Sequence, residues 1–189
     1  MKVWFSHGKE SGPWGSKILR LAEAAKALGC EVDSVDYRDL PDPDQRVDRL
    51  VDILGREAGP CILVGSSMGG YVSLVASQKL PTSGVFLLAP AVFMPGYRVQ
   101  DFQRPASRLE IVHGWSDDVI PPDHAIRFAR AWSGTLHLID GDHRLNSVLD
   151  TVIELFECFL RRVLQGEAMP QPSHQSPADV TIITYRQEG

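Results

Sequence analysis

The stretch Gly65-Ser66-Ser67-Met68-Gly69 frames one serine, Ser67, with glycines two residues before and two residues after it. The apolar run CILV (61–64) precedes the stretch, and MGGYVSLVASQKL, which reads as a helix, follows Ser67. A serine held at a sharp strand-to-helix turn occupies strained backbone angles. Its neighbours then approach so closely that side chains would clash, which is what the glycines relieve. In that position a hydroxyl becomes a nucleophile if a base takes its proton and an acid orients the base. Ser66 lacks the glycine frame and reads as a small filler, and Gly70 suits close packing of helix on sheet. The helix start beside Ser67 supplies free N–H groups and the positive end of a dipole. A plain glycine turn with phosphate-binding donors is the alternative. It lacks a Walker lysine at the required spacing and the second half of a dinucleotide fingerprint.

Two later stretches offer the base and the acid. LEIVHG (109–114) leads into WSDDVIPP, and TLHLID (135–140) leads into GDHRL. Asp117 or Asp118, and then His143, thus fall just beyond the carboxyl ends of predicted strands. Loops of that kind can meet Ser67 at one edge of a parallel sheet. The other histidines suit the task less well. His113 lies inside the acid stretch and reads as structural, and His137 is mid-strand. His124 sits on a predicted helix and His174 in the tail, without a serine or acid at a strand end beside them.

The elements that must position these residues are legible as alternating patterns. KVWFS (2–6), EVDSVDY (31–37), CILVG (61–65), GVFLLA (84–89), LEIVHG (109–114) and TLHLID (135–140) read as short strands, several of them apolar on successive residues. Such runs suit a sheet covered on both faces. Residues 16–29, 43–59, 68–80, 121–132 and 144–164 carry helical spacing, with Gly29 as a C-cap and Pro43 in a first turn. The alternation predicts an α/β fold, a single doubly wound and mostly parallel sheet of about six strands flanked by helices. Residues 89–107, with three prolines, should form an excursion above the strand ends, with room for one short helix. From Gln165 the chain reads as a linker, then gives VTIITY (180–185). That β-prone run suits an extra edge strand or a strand lent to a second copy in a homodimer.

The chain has 189 residues, 43% of them hydrophobic, enough for one sizeable core and one domain over 1–164, with 165–189 as an appendage. A net charge of -5 and the lack of a Lys/Arg block argue against a nucleic-acid partner. No apolar stretch is long enough to span a membrane, and the N-terminus carries no signal-peptide pattern. The expected compartment is therefore the cytoplasm. Cys30, Cys61 and Cys158 show neither zinc nor redox spacing and read as small core residues, so neither metal nor cofactor is expected.

Taken together, the motifs resemble those of the α/β-hydrolase superfamily over residues 2–164. The family's acid loop, a His-Gly-x-x-Asp followed by small apolar residues and proline, is similar to His113-Gly114-Trp115-Ser116-Asp117 with Val119, Ile120 and Pro121. This resemblance selects Asp117 over Asp118. Gly141-Asp142-His143 resembles the family's histidine loop, and Ser6-His7-Gly8-Lys9 its His-Gly loop after the first strand. By that resemblance, the backbone N–H groups of Met68 and Lys9 would form an oxyanion hole. The fold would lack the two leading strands of larger members and any long cap. The implied activity is that of a small esterase-like serine hydrolase acting on a small-molecule acyl substrate, an ester or thioester. Phe93, Met94, Tyr97, Phe102 and Trp115 would be candidate pocket walls. Two other readings stay open here: an acyltransferase using the same triad, and a binding protein with an idle site.

Overall fold

In a computed structural model, the described residues are 1–103, 107–132, 134–166 and, for the backbone alone, 182–185. Strands β1 (Lys2–Ser6), β2 (Glu31–Val35), β3 (Cys61–Ser66), β4 (Thr82–Leu88), β5 (Arg108–Gly114) and β6 (Thr135–Ile139) form one sheet in the order β2-β1-β3-β4-β5-β6. Every neighbouring pair is parallel. A seventh strand, β7 (Ile182–Tyr185), pairs in parallel with the β6 edge. The helices between them are α1 (Ser16–Ala27), α2 (Pro43–Leu54), α3 (Met68–Ser77) and α4 (Pro122–Trp132), and α5 (Leu149–Leu164) follows β6.

Successive residues of a strand face opposite sides, so the apolar runs feed two cores. Val3, Phe5, Ile62, Val64 and Phe86 face Leu21 of α1 and Phe156 and Phe159 of α5. Trp4, Leu63, Val85, Leu87 and Ile111 face Leu50 of α2, Val72 of α3 and Phe128 of α4. The first core is knitted by aromatic rings, with Phe86 5.1 Å from Phe156 and 5.2 Å from Phe159.

Local chemistry sets the helix ends. The Asp42 side chain accepts the N–H groups of Asp44 and Gln45 and caps α2, with Pro43 in its first turn. Gly29, at φ 80°, stops α1. Helix α5 starts at Leu149 rather than at residue 144. Leu145 adopts φ 58° and its N–H is taken by the Asp142 side chain, a conformation no helix can pass through.

The excursion departs from expectation: among the described residues of 89–103 there is no helix. Turns held by side chains replace it. Tyr71 Oη donates to Asp44 Oδ1 at 2.6 Å and accepts the Val99 N–H at 3.1 Å, and Asp44 Oδ2 accepts the Arg98 N–H at 3.0 Å. Cys30 and Cys61 are buried, but Cys158 is exposed, because it projects from the face of α5 opposite Phe156. Of the tail, residues 167–181 and 186–189 lie outside the described residues.

This topology creates a switch point in the sheet. The chain moves outward from β1 to β2, then crosses back to β3 on the other side. The connections leaving β1 and β3 therefore run to opposite sides of the strand order, which makes the carboxyl ends of these two strands the switch point of the sheet.

Candidate active site

Ser67 sits at that switch point, between β3 and the first residue of α3, with φ 56° and ψ −120°. Such a conformation costs about 1–3 kcal/mol in a residue with a side chain, so its surroundings must hold it. They do. The Ser67 N–H donates to the Leu88 carbonyl at 2.9 Å, and its own carbonyl accepts the Ala91 N–H at 3.0 Å. The flanking glycines have no alternative. A Cβ on Gly65 would stand 2.2 Å from the Gly69 carbonyl oxygen, and one on Gly69 would stand 2.0 Å from that of Ser6. Gly70 packs on Pro90, 2.8 Å from where its Cβ would be.

The loops after β5 and β6 bring the other two groups to Ser67. His143 Nε2 lies 3.0 Å from Ser67 Oγ, and His143 Nδ1 lies 2.8 Å from Asp117 Oδ2. These loops are locked together. A Cβ on Gly114 would come within 2.2 Å of the Gly141 carbonyl oxygen, and the Ser116 N–H donates to that same oxygen at 3.0 Å.

The Asp117 carboxylate has no solvent exposure. Its Oδ1 accepts the N–H groups of Val119 at 2.9 Å and Ile120 at 2.8 Å. His113 adds a further donor. Its Nε2 lies 2.9 Å from the Ile120 carbonyl and 3.1 Å from Asp117 Oδ2, while its buried Nδ1 has no partner. That pattern places the proton on Nε2. Burial holds the His113 pKa below its ordinary value of 6.5, so the ring is neutral. A buried carboxylate ringed by donors is fixed in place. It holds the proton of His143 on Nδ1, which leaves the Nε2 lone pair facing the Ser67 hydroxyl. Chemically, this arrangement can deprotonate an alcohol and hold the resulting imidazolium.

The remaining predicted residues divide. The N–H groups of Met68, at the start of α3, and of exposed Lys9 donate to no hydrogen bond among the described residues. Trp115 is 45% exposed beside the acid loop. Phe93, Met94 and Tyr97 are partly buried against the α2–α4 core, with Tyr97 4.7 Å from Tyr71. Phe102, by contrast, is a core residue, buried among Tyr71, Phe93 and Phe128. His137 pairs with Glu110 inside the sheet layer, and His124 Nδ1 bonds the Val92 carbonyl. The chain pattern gave no sign of Lys17. Its ammonium donates to the Arg144 carbonyl at 2.8 Å, one residue beyond His143, and so ties α1 to the histidine loop. Burial lowers its pKa to about 8 against the pull of Asp142 and Asp117. Among the described residues, no group of three or more His, Cys, Asp or Glu is placed to hold a metal ion. No described helix is long and apolar enough to cross a membrane.

Comparisons with known proteins agree with this architecture. A protein of the alpha/beta hydrolase superfamily from Xanthomonas campestris pv. campestris is 34% identical, with a TM-score of 0.78 over 85% of this chain and 98% of that one. Est1E from Butyrivibrio proteoclasticus shares the fold at 16% identity and a TM-score of 0.73, covering 87% of this chain and 88% of its own. The type II thioesterase BorB of the borrelidin biosynthetic cluster shares it at 17% identity and a TM-score of 0.70, covering 85% of this chain and 91% of its own. No curated protein matches the chain. The sequence profile of the alpha/beta hydrolase family matches residues 4–183, and the chain belongs to that family.

Proposed function

We propose that this protein is a serine hydrolase of carboxylic ester or thioester bonds, acting through an acyl-enzyme. The observation that carries the reading is the continuous relay from Ser67 Oγ to His143 at 3.0 Å and on to Asp117 at 2.8 Å. In this reading His143 Nε2 takes the proton of Ser67 as its oxygen attacks the acyl carbonyl. The carbonyl oxygen becomes negative and is held by the Met68 and Lys9 N–H groups. Each such donor is worth roughly 3 kcal/mol in the transition state. The imidazolium, steadied by Asp117, returns the proton to the leaving alcohol or thiol. A water deprotonated by His143 then releases the acid and restores Ser67.

Two features support the oxyanion assignment. Both N–H groups are unengaged among the described residues, and the Gly8 backbone abuts the nucleophile, its Cβ position lying 3.5 Å from Ser67 Cβ. Trp115, exposed beside the acid loop, and the half-buried Phe93, Met94 and Tyr97 of the excursion are the apolar walls available to an acyl group. An open rim of this kind favours short, soluble acyl chains over long lipids.

Turnover of short-chain p-nitrophenyl esters and acyl thioesters, with Ser67→Ala as control, tests the proposal. Loss of turnover to background in the variant, together with fluorophosphonate labelling at Ser67 of the wild type, is the expected result. Equal inactivity of both proteins with no label on Ser67 would defeat it.

A further inference from the structure

Among the described residues, the largest fully buried side chain carries a permanent charge: Arg46 of α2 is 2% exposed. Among the described residues it makes no ion pair, whereas Arg49 on the same helix takes Asp39 at 2.6 Å. A guanidinium sealed from water without a counter-ion is costly, so its hydrogen bonds matter. Nε donates to the Leu40 carbonyl at 2.6 Å, and Nη1 reaches the loop after β1, donating to the Gly8 carbonyl at 3.4 Å and the His7 carbonyl at 3.5 Å.

The Gly8 carbonyl has a second donor. His7 Nε2 accepts the Tyr37 N–H at 3.0 Å, which puts the ring proton on Nδ1, and Nδ1 donates to the Gly8 oxygen at 2.7 Å. Burial lowers the His7 pKa and keeps this ring neutral. The Gly8 oxygen belongs to the same peptide unit as the Lys9 N–H. That peptide is trans, so its N–H points away from Arg46. Donors on the oxygen draw electron density toward it and strengthen the N–H at the opposite end.

From this geometry we infer that Arg46 is a positioning residue for oxyanion binding. With neutral His7, its buried charge aims and polarises the Gly8–Lys9 peptide so that the Lys9 N–H binds a negative oxygen more strongly than an unassisted peptide would. The inference rests on the serine-hydrolase reading. Full negative charge on the substrate oxygen develops only in the transition state, so the contribution belongs to kcat rather than KM.

Arg46→Met and Arg46→Lys in the full chain, assayed on a short-chain p-nitrophenyl ester, test it. In Arg46→Met, kcat falls about 10-fold, less than the 10²–10³ that follows outright loss of an oxyanion donor, while KM stays within about twofold. Arg46→Lys restores part of the loss, and affinity for a trifluoromethyl ketone, which forms a charged adduct on Ser67, falls in parallel with kcat. Arg49→Met keeps the wild-type rate. A folded Arg46→Met with wild-type kcat, or a loss carried by KM, overturns the inference. Where Arg46→Met does not fold, the Lys9 amide proton of the wild-type protein decides. A downfield move on adduct formation is expected, and an unmoved resonance overturns the role. Fluorophosphonate labelling of Ser67 separates the two failures. Without label and without Ser67-dependent turnover, the hydrolase reading itself falls. With both present and Arg46 indifferent, only the inference falls.

Discussion

Asp117 is the residue on which the relay turns, because a single carboxylate does two jobs. Oδ1 closes the loop by accepting two backbone N–H groups, and Oδ2 sets the tautomer of His143. Asp117→Asn keeps the size but presents an amide N–H to His143, which forces the wrong tautomer. On the proposed serine-hydrolase reading, kcat on a short ester falls by about 10⁴, as in serine triads, while the fold survives. His113 adds a pH dependence of stability. Its folded pKa lies below 6.5, so on acidification the unfolded chain takes up a proton that the folded chain refuses. Stability is therefore full above about pH 7 and declines as pH falls through 6.5 toward the folded value. The urea midpoint should drop between about pH 7.5 and pH 5.5, and His113→Gln should flatten that drop. Some slope remains through His7, whose pKa burial also lowers.

Elements meet at the site through backbone contact more than through side chains. Gly65 and Gly69 let β3, α3 and the end of β1 converge, and Gly114 and Gly141 do the same for the loops bearing Asp117 and His143. Backbone strain gathers in the same region. All four non-glycine residues with positive φ among the described residues, Ser67, Ala89, Phe93 and Leu145, follow the carboxyl ends of β3, β4 or β6. Gly114→Ala must push the Gly141 carbonyl away and so move His143 relative to Asp117. Because the clash is with backbone, the expected outcome is a loss of several degrees in melting temperature, with ester turnover lowered more than tenfold. A variant with wild-type kinetics would show that the two loops are not coupled through this contact.

The described residues form a frame of two cores around one sheet, and stability is a property of that frame. Phe156 joins α5 to β1 and β4, fully buried and touching Phe5, Phe86 and Phe159. Phe156→Ala should cost about 3–5 kcal/mol, measured by chemical denaturation. It lies on the α5 side of the sheet, so the folded fraction should keep its reactivity toward a fluorophosphonate. At the opposite end of the strand order, β7 covers the β6 edge with main-chain pairing. An uncovered edge would otherwise be a template for association.

Local sequence determined the strand–helix alternation, the parallel sheet and the turn at Ser67, because each rests on periodicity or on a short motif with a steric cause. It offered Asp117 or Asp118 and then His143 at later strand ends, and only the family resemblance selected Asp117. The GSSMG turn is legible because only glycine fits beside a serine held in so strained a turn. Pairings between distant segments are not encoded in any window. Nothing local marks Lys17 as a neighbour of Arg144, or Arg46 as the cation behind the Gly8 carbonyl, since those contacts exist only once α1 and α2 dock on the sheet. The same limit explains Phe102 and Cys158. Phe102 resembled a pocket wall until the excursion folded it into the core. Cys158 resembled a core residue until the rotation of α5 turned it outward, because burial depends on how a helix is packed and composition alone carries no record of that.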